Sequence, residues 1–267
     1  MESNVLFAFG LTLFAGLATG IGSFIGLLSK RFNPKFLAGS LGFSAGVMIY
    51  VSLVEIFFKA KEVLMQEYGD KLGYAYTTIA FFAGIAFIAV IDRLIPVMDN
   101  PHEIKKTKNY GNLVVNNKKL MRMGLFSAVA IAVHNFPEGL ATFMAGLTNP
   151  TLGVSIAIAI AIHNIPEGLA VSVPIYYATG SKKKAFILSS LSGLSEPVGA
   201  IIGYFFLKWF FAESVLGFIF AAVAGIMVFI SLDELLPTAE EYGEHHVAIY
   251  GLIAGMAVMA LSLVLMV

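Results

Sequence analysis

The chain has 267 residues, of which 58% are apolar and only 13% charged, with a formal net charge of zero and a mean hydropathy of +0.84. A soluble core does not need that much apolar sequence, so the composition excludes an ordinary water-soluble domain and points to an integral membrane protein. The balanced charge says little about partners, and the absence of cysteine excludes disulfides and thiolate metal ligands together.

Eight hydrophobic runs have spanning length: 5–28, 36–58, 72–96, 121–147, 151–178, 184–210, 214–237 and 246–267. They predict an all-α integral membrane fold of eight transmembrane helices in a single transmembrane domain covering 1–267. The first run follows Met1-Glu2-Ser3-Asn4, which lacks the basic region of a signal peptide, so it is expected to be a retained helix. Most connections are short. The segment 97–120, rich in Asn and Lys, reads as a flexible polar loop on the cytoplasmic side.

Lys and Arg set the orientation. Loop 1–2 holds Lys30, Arg31 and Lys35; loop 3–4 holds Lys105, Lys106, Lys108, Lys118 and Lys119, with Arg122 at the start of helix 4; loop 5–6 holds Lys182, Lys183 and Lys184. Only Lys59, Lys61, Lys71 and Lys208 fall on the other side. The positive-inside rule then puts these three loops in the cytoplasm and both termini outside, in a multi-pass cell-membrane protein.

Under that topology an internal repeat emerges. Residues 45–55 in helix 2 (AGVMIYVSLVE) match 224–234 in helix 7 (AGIMVFISLDE) at six of eleven positions. Helices 1 and 6 match more weakly, through Gly16-Leu17, Gly22, Ile25 and Gly26 against Gly193-Leu194, Gly199, Ile202 and Gly203. Helices 2 and 7 cross in opposite directions, which is the signature of inverted-topology repeats that rock about a midplane site.

The central runs carry one hexapeptide twice: His134-Asn135-Phe136-Pro137-Glu138-Gly139 and His163-Asn164-Ile165-Pro166-Glu167-Gly168. Each sits half-way along its run, so its polar groups lie near the bilayer midplane, where ionisable groups are costly and a functional site is the default expectation. Spacings of three and four put His134, Asn135 and Glu138 on one helical face, and likewise His163, Asn164 and Glu167. Pro137 and Pro166 cannot donate to the carbonyls of Val133 and Ile162, so a broken helix lining a polar cavity is expected at each motif. A lone buried His is ordinarily a hydrogen-bonded core residue; two copies in antiparallel spans are not ordinary core.

Glu196, just before Pro197 and half-way along helix 6, adds a third mid-membrane carboxylate with no Lys or Arg at its depth. A divalent cation supplies the missing counter-charge. Two imidazoles, two amides and three carboxylates exceed the needs of one tetrahedral zinc, so two neighbouring metal positions are expected. The donor set suits Zn²⁺, Fe²⁺ and related first-row ions, and argues against a copper(I) specialist.

Other polar residues fall nearer the faces: Glu55 toward the outside, and Asp92, Asp233 and Glu234 toward the cytoplasm. They read either as an entrance and an exit for the ion or as ordinary ion pairs, for example Asp92 with Arg93. Met48 lies about mid-membrane, as a thioether donor or as core packing. His245-His246, after Glu240, Glu241 and Glu244, read either as a cytoplasmic metal-gathering group or, preferably, as solvated loop, and His102 as solvated loop.

The paired hexapeptides, Glu196-Pro197 and the basic loop before the first motif resemble the ZIP family of metal transporters, and within it the bacterial zinc-uptake branch. The resemblance covers essentially the whole chain. It implies a 3+2+3 arrangement of the eight helices, uptake of zinc toward the cytoplasm, and a two-metal site at mid-pathway. Motif matching implies His134, Glu138, His163 and Glu167 for one position, and Asn135, Glu138, Asn164, Glu167 and Glu196 for the other, the two glutamates bridging. Some members carry Gln-Asp where this chain has His163-Asn164. The long histidine-rich loop of many eukaryotic members is missing, since 97–120 holds only His102.

The expected function is therefore uptake of zinc, with Fe²⁺, Mn²⁺, Co²⁺ and Cd²⁺ as further cargo, and no catalytic cofactor. An intramembrane metalloenzyme and a proton-coupled exchanger are the competing readings. The first lacks a His-Glu-x-x-His motif, and seven ligands leave little room for an activated water. No nucleotide-binding loop points to ATP as the driving force. The implied partners are divalent metal ions and the lipid bilayer, not nucleic acid, with a homodimer among the arrangements open to such a chain.

Overall fold

A computed structural model of the chain describes residues 2–28, 33–94, 108–110, 113–115, 117–148, 150–207, 213–242 and 245–266. Helix dominates them. In order they form α1 (Glu2–Gly26), α2 (Pro34–Val51), a π-helical turn π1 (Ser52–Ile56), α3 (Phe57–Tyr68), α4 (Asp70–Leu94), strands β1 (Lys108–Tyr110) and β2 (Leu113–Val115), α5 (Asn117–Thr148) and α6 (Pro150–Thr179). There follow α7 (Lys182–Gly193), α8 (Ser195–Ile202), π2 (Gly203–Leu207), α9 (Glu213–Ile230), π3 (Ser231–Leu235), α10 (Leu236–Tyr242) and α11 (His245–Met266).

Among the described residues, seven helical stretches are long and apolar enough to cross a membrane. The 32-residue α5 has the length but falls outside those seven on composition, because His134, Asn135 and Glu138 interrupt its apolar run. Large apolar side chains such as Phe24, Ile79, Phe82, Tyr250 and Val264 are exposed around the outside, as a lipid-facing surface requires.

Three details depart from the sequence reading. The polar stretch around Lys59 and Lys61 is not a loop, because α2, π1 and α3 run on without interruption to Tyr68. The chain then reverses at Gly69, whose φ of +79° favours glycine. In the segment expected as a flexible loop, β1 and β2 pair antiparallel with Lys108 opposite Val115, and α5 already begins at Asn117. Residues 95–107, 111, 112 and 116, His102 among them, lie outside the described residues.

Helix α1 packs along α6, α2 along α11, α4 along α9, and α5 against both α6 and α8. Lipid offers apolar side chains no reason to prefer protein, so close backbone approach through small residues holds such helices together. The repeat positions Gly46 and Gly225 serve this role in the same way. A Cβ on Gly46 would collide with the Leu252 carbonyl of α11, and one on Gly225 with the Phe81 carbonyl of α4. Each repeat segment then widens into a π turn at its serine. Ser52 Oγ donates to the Met48 carbonyl at 2.6 Å and Ser231 Oγ to the Met227 carbonyl at 2.8 Å. A hydroxyl that claims the i−4 carbonyl competes with the backbone N–H for it, which favours local rearrangement of the helix. Met48 and Met227 are both fully buried in one hydrophobic cluster, so the packing reading of Met48 holds.

Candidate metal centre

Helices α5 and α6 lie side by side with their hexapeptides facing each other. All seven polar residues singled out from the sequence are buried: His134, Asn135, Glu138, His163, Asn164, Glu167 and Glu196. The structure brings them together across three helices, α5, α6 and α8.

Pairing runs between the helices. His134 Nε2 lies 2.9 Å from Glu167 Oε1, and His163 Nε2 lies 3.2 Å from Glu138 Oε2. Asn164 Nδ2 donates to Glu196 Oε1 and, at 2.9 Å, to the Ala15 carbonyl of α1. Asn135 Nδ2 reaches the Ser192 carbonyl of α7 at 3.5 Å. Among the described residues none of the three carboxylates pairs with Lys or Arg. Five buried polar atoms here, His134 Nδ1, Asn135 Oδ1, Asn164 Oδ1, Glu167 Oε2 and Glu196 Oε2, have no hydrogen-bond partner. Buried polar atoms are normally satisfied, so a concentration of orphaned oxygens among carboxylates is what a cation-binding cluster looks like.

The helices do not break where proline was expected to break them. Pro137 lies inside an uninterrupted α5, and Pro166 inside an uninterrupted α6. At the α6 motif, neighbouring helices bond the backbone just after the freed Ile162 carbonyl: Ser44 Oγ of α2 donates to the Pro166 carbonyl at 2.6 Å, and Ser189 Oγ of α7 to the Gly168 carbonyl at 3.3 Å. The interruption comes instead at Leu194, between α7 and α8, directly before Ser195-Glu196-Pro197. Pro197 has no N–H for the Gly193 carbonyl, and Glu196 is thereby placed in the first turn of α8. The glycine that ends each hexapeptide has a packing role. A Cβ on Gly139 would collide with the Glu196 backbone of α8, and one on Gly168 with the Thr19 carbonyl of α1.

The remaining candidates lie elsewhere. Glu55 pairs with Lys59 one turn on. Asp92, Asp233 and Glu234 do gather, with carboxylate oxygens within 4.8 Å of one another. Asp92 pairs with Arg122 of α5 at 2.5 Å, not with its neighbour Arg93, and Arg122 also reaches Glu234 at 3.5 Å. His245 pairs with Glu240 at 3.0 Å and His246 stacks on Tyr250. Sequence reasoning counted Arg122 only as a topological charge, and it passed over the serines that pin α6. A basic residue opposite three carboxylates at like depth was the available signal for Arg122; Ser44 carried none.

Comparison with known proteins decides the family. Residues 98–263 match the family model described as ZIP zinc transporter. The chain belongs to the ZIP zinc transporter family. It is 69% identical to the zinc transporter ZupT of Chlorobium chlorochromatii over 266 residues, covering 99% of each chain. It is 67% identical to the ZupT of Chlorobaculum parvum, again over 99% of each. Identity to the ZupT of Clostridium perfringens is 60%, over 98% of this chain and 97% of that one. These relatives are named as transporters, not as enzymes.

Proposed function

We propose that this chain carries zinc across the cell membrane into the cytoplasm through the midplane cluster of α5, α6 and α8. The observation that carries the reading is the cross-helix pairing of His134 with Glu167 and of His163 with Glu138, beside unpartnered oxygens of Asn135, Asn164, Glu167 and Glu196. In this reading α5 is an eighth spanning helix, the eight group as 3+2+3, both termini are extracytoplasmic, and segment 97–120 is cytoplasmic within one transmembrane domain. The meeting of α4's end, α5's start and π3 at Arg122, and of Lys182 with the Leu27 carbonyl, supports alternate crossing by putting these ends together.

His134, Glu138, His163 and Glu167 hold one metal position; Asn135, Glu138, Asn164, Glu167 and Glu196 hold the other. The imidazoles must give up their carboxylate partners to zinc, and Glu138 and Glu167 then bridge. Three carboxylates against two divalent ions leave the loaded site cationic, which favours onward release of the cargo. Fe²⁺, Mn²⁺, Co²⁺ and Cd²⁺ fit the same nitrogen and oxygen donors.

Reconstitution into liposomes tests this, with zinc flux, peptide cleavage and proton flux measured on one preparation. Zinc entry without peptide cleavage is expected. Absence of zinc flux from a folded, correctly inserted preparation would overturn the reading.

A further inference from the structure

The two halves of the chain make the same contacts twice around the cluster. The register read from Gly16-Leu17 and Gly193-Leu194 aligns Ala15 with Ser192, Thr19 with Glu196 and Gly22 with Gly199. Each alignment recurs as geometry. Asn164 of α6 donates to the Ala15 carbonyl, and Asn135 of α5 to the Ser192 carbonyl. Gly168 is closed against the Thr19 backbone, and Gly139 against the Glu196 backbone. Gly22 lies against the Ile165 carbonyl, and Gly199 against the Phe136 carbonyl. Gly16 and Gly193 meet each other, each against the other's carbonyl oxygen. Residues that touch their own repeat mates sit on the local two-fold axis.

That axis exchanges His134 with His163, Asn135 with Asn164 and Glu138 with Glu167. Both sets of ligands map onto themselves, with one exception. The mate of Glu196 is Thr19.

Thr19 is fully buried, and its Oγ1 has no hydrogen-bond partner. A buried helical threonine ordinarily donates to the carbonyl one turn back, as Thr12, Thr77 and Thr142 do. Thr19 does not. The carbonyl one turn back from it, that of Ala15, accepts Asn164 Nδ2 instead. The hydroxyl borders Gly193 at the α7–α8 junction, where the backbone leads into Glu196.

We infer that Thr19 Oγ1 is a neutral oxygen donor to the second metal position, on the face opposite Glu196, held directly or through one water of the ion. The inference rests on the midplane reading above. The pairing of one carboxylate with one hydroxyl has a chemical purpose. A second glutamate in place of Thr19 would bring four carboxylates to two divalent ions, neutralise the loaded site and hold its cargo. A hydroxyl completes the oxygen shell without adding that charge, as suits an ion that must leave.

The test measures zinc binding to the purified full-length protein, using a competing chelator, and zinc flux in liposomes. The proteins are wild type, Thr19→Val, Thr19→Ser, Thr19→Glu and, as a control, Glu138→Ala. Thr19→Val keeps the shape and removes the oxygen; it should weaken the looser of two zinc-binding events about tenfold, and Thr19→Ser should restore it. Thr19→Glu should bind more tightly and turn over more slowly, with KM and maximal flux falling together. Thr19→Val with wild-type binding and flux would overturn the inference. Should Thr19→Val fail to fold, Thr19→Glu decides: wild-type KM and maximal flux in that variant would equally overturn it. The control separates the two readings. If Glu138→Ala itself binds zinc like wild type, the midplane site is wrong; if it loses zinc while both informative Thr19 variants behave as wild type, only the role of Thr19 is wrong.

Discussion

His134 takes its carboxylate partner from the neighbouring helix: its Nε2 lies 2.9 Å from Glu167 Oε1, although Glu138 stands one turn along its own helix. His163 does the same toward Glu138. The two hexapeptides are thus one interlocked unit, and in the proposed reading an incoming zinc ion has to open both cross-links.

This pairing has a measurable consequence. In a double-mutant cycle on thermal stability without metal, His134→Ala and Glu167→Ala should couple by about 1 kcal/mol, whereas His134→Ala and Glu138→Ala should be close to additive. Stronger coupling within α5 than between helices would contradict the arrangement.

Glu138 and Glu167 should matter most for transport, because each carries charge and each is assigned to both metal positions. Alanine at either should reduce zinc uptake to background while the protein still inserts. Glu196→Ala should be milder and shift preference among metals. Uptake at several zinc concentrations in a strain lacking other importers measures this, with expression checked for every variant. Wild-type uptake by Glu138→Ala or Glu167→Ala would refute the central site.

The seven polar residues were legible in the sequence because ordinary core packing does not account for a repeated motif of costly groups inside apolar runs. Their partners were not. Helical spacing says which side chains share a face, and so suggested His134 beside Glu138; it cannot say which face of α6 lies opposite. The helix break was misplaced for a related reason. Proline removes a donor at Pro137, Pro166 and Pro197 alike, yet α5 and α6 run on through their prolines and only the Pro197 segment divides, at Leu194; a missing donor alone does not say which helix yields. The repeat register was readable from glycines, while the contacts those glycines make required three dimensions. Arg122 looked like a topological charge because its partners are 30 or more positions away in the chain.

Orientation is open to labelling. Lys71 and Lys183 are both exposed and fall at opposite ends of the expected topology. Cysteine at Lys71 should react with an impermeant thiol reagent on intact cells, and cysteine at Lys183 should react only after permeabilisation. The reverse pattern would exchange the entrance and the exit.

Uptake should fall as the outside is acidified. Metal binding needs ionised carboxylates and neutral imidazoles, so protons compete with zinc for the same atoms. The decline should be evident below about pH 6.5, where free imidazole protonates, and extra zinc should offset it. Uptake that instead rises steeply with acidification would indicate proton-driven import, which simultaneous proton-flux measurement in liposomes would reveal.

Arg122 ties three elements together at the end of the molecule away from Glu55. Its guanidinium donates to the Asp92 carboxylate at 2.5 Å and the Asp92 carbonyl at 3.1 Å in α4, and reaches Glu234 of π3 at 3.5 Å. Arg122 and Asp92 are only partly buried, with side-chain exposures of 29% and 19%, so solvent screening reduces what the pair contributes. Removing the cation nevertheless takes their shared Arg122 partner from the crowded carboxylates of Asp92 and Glu234, with Asp233 beside them. Arg122→Ala should therefore lower stability by about 2 kcal/mol, between what an exposed pair contributes and what breaking a fully buried pair costs. Arg122→Lys should recover only part, because an ammonium group cannot span both carboxylates as the planar fork does. Thermal unfolding of the purified variants in detergent measures both. Removing the carboxylate as well, in Arg122→Ala with Asp92→Asn, should restore most of the loss; a double variant as unstable as the two single losses combined would show that the ion pair is not what joins these helices.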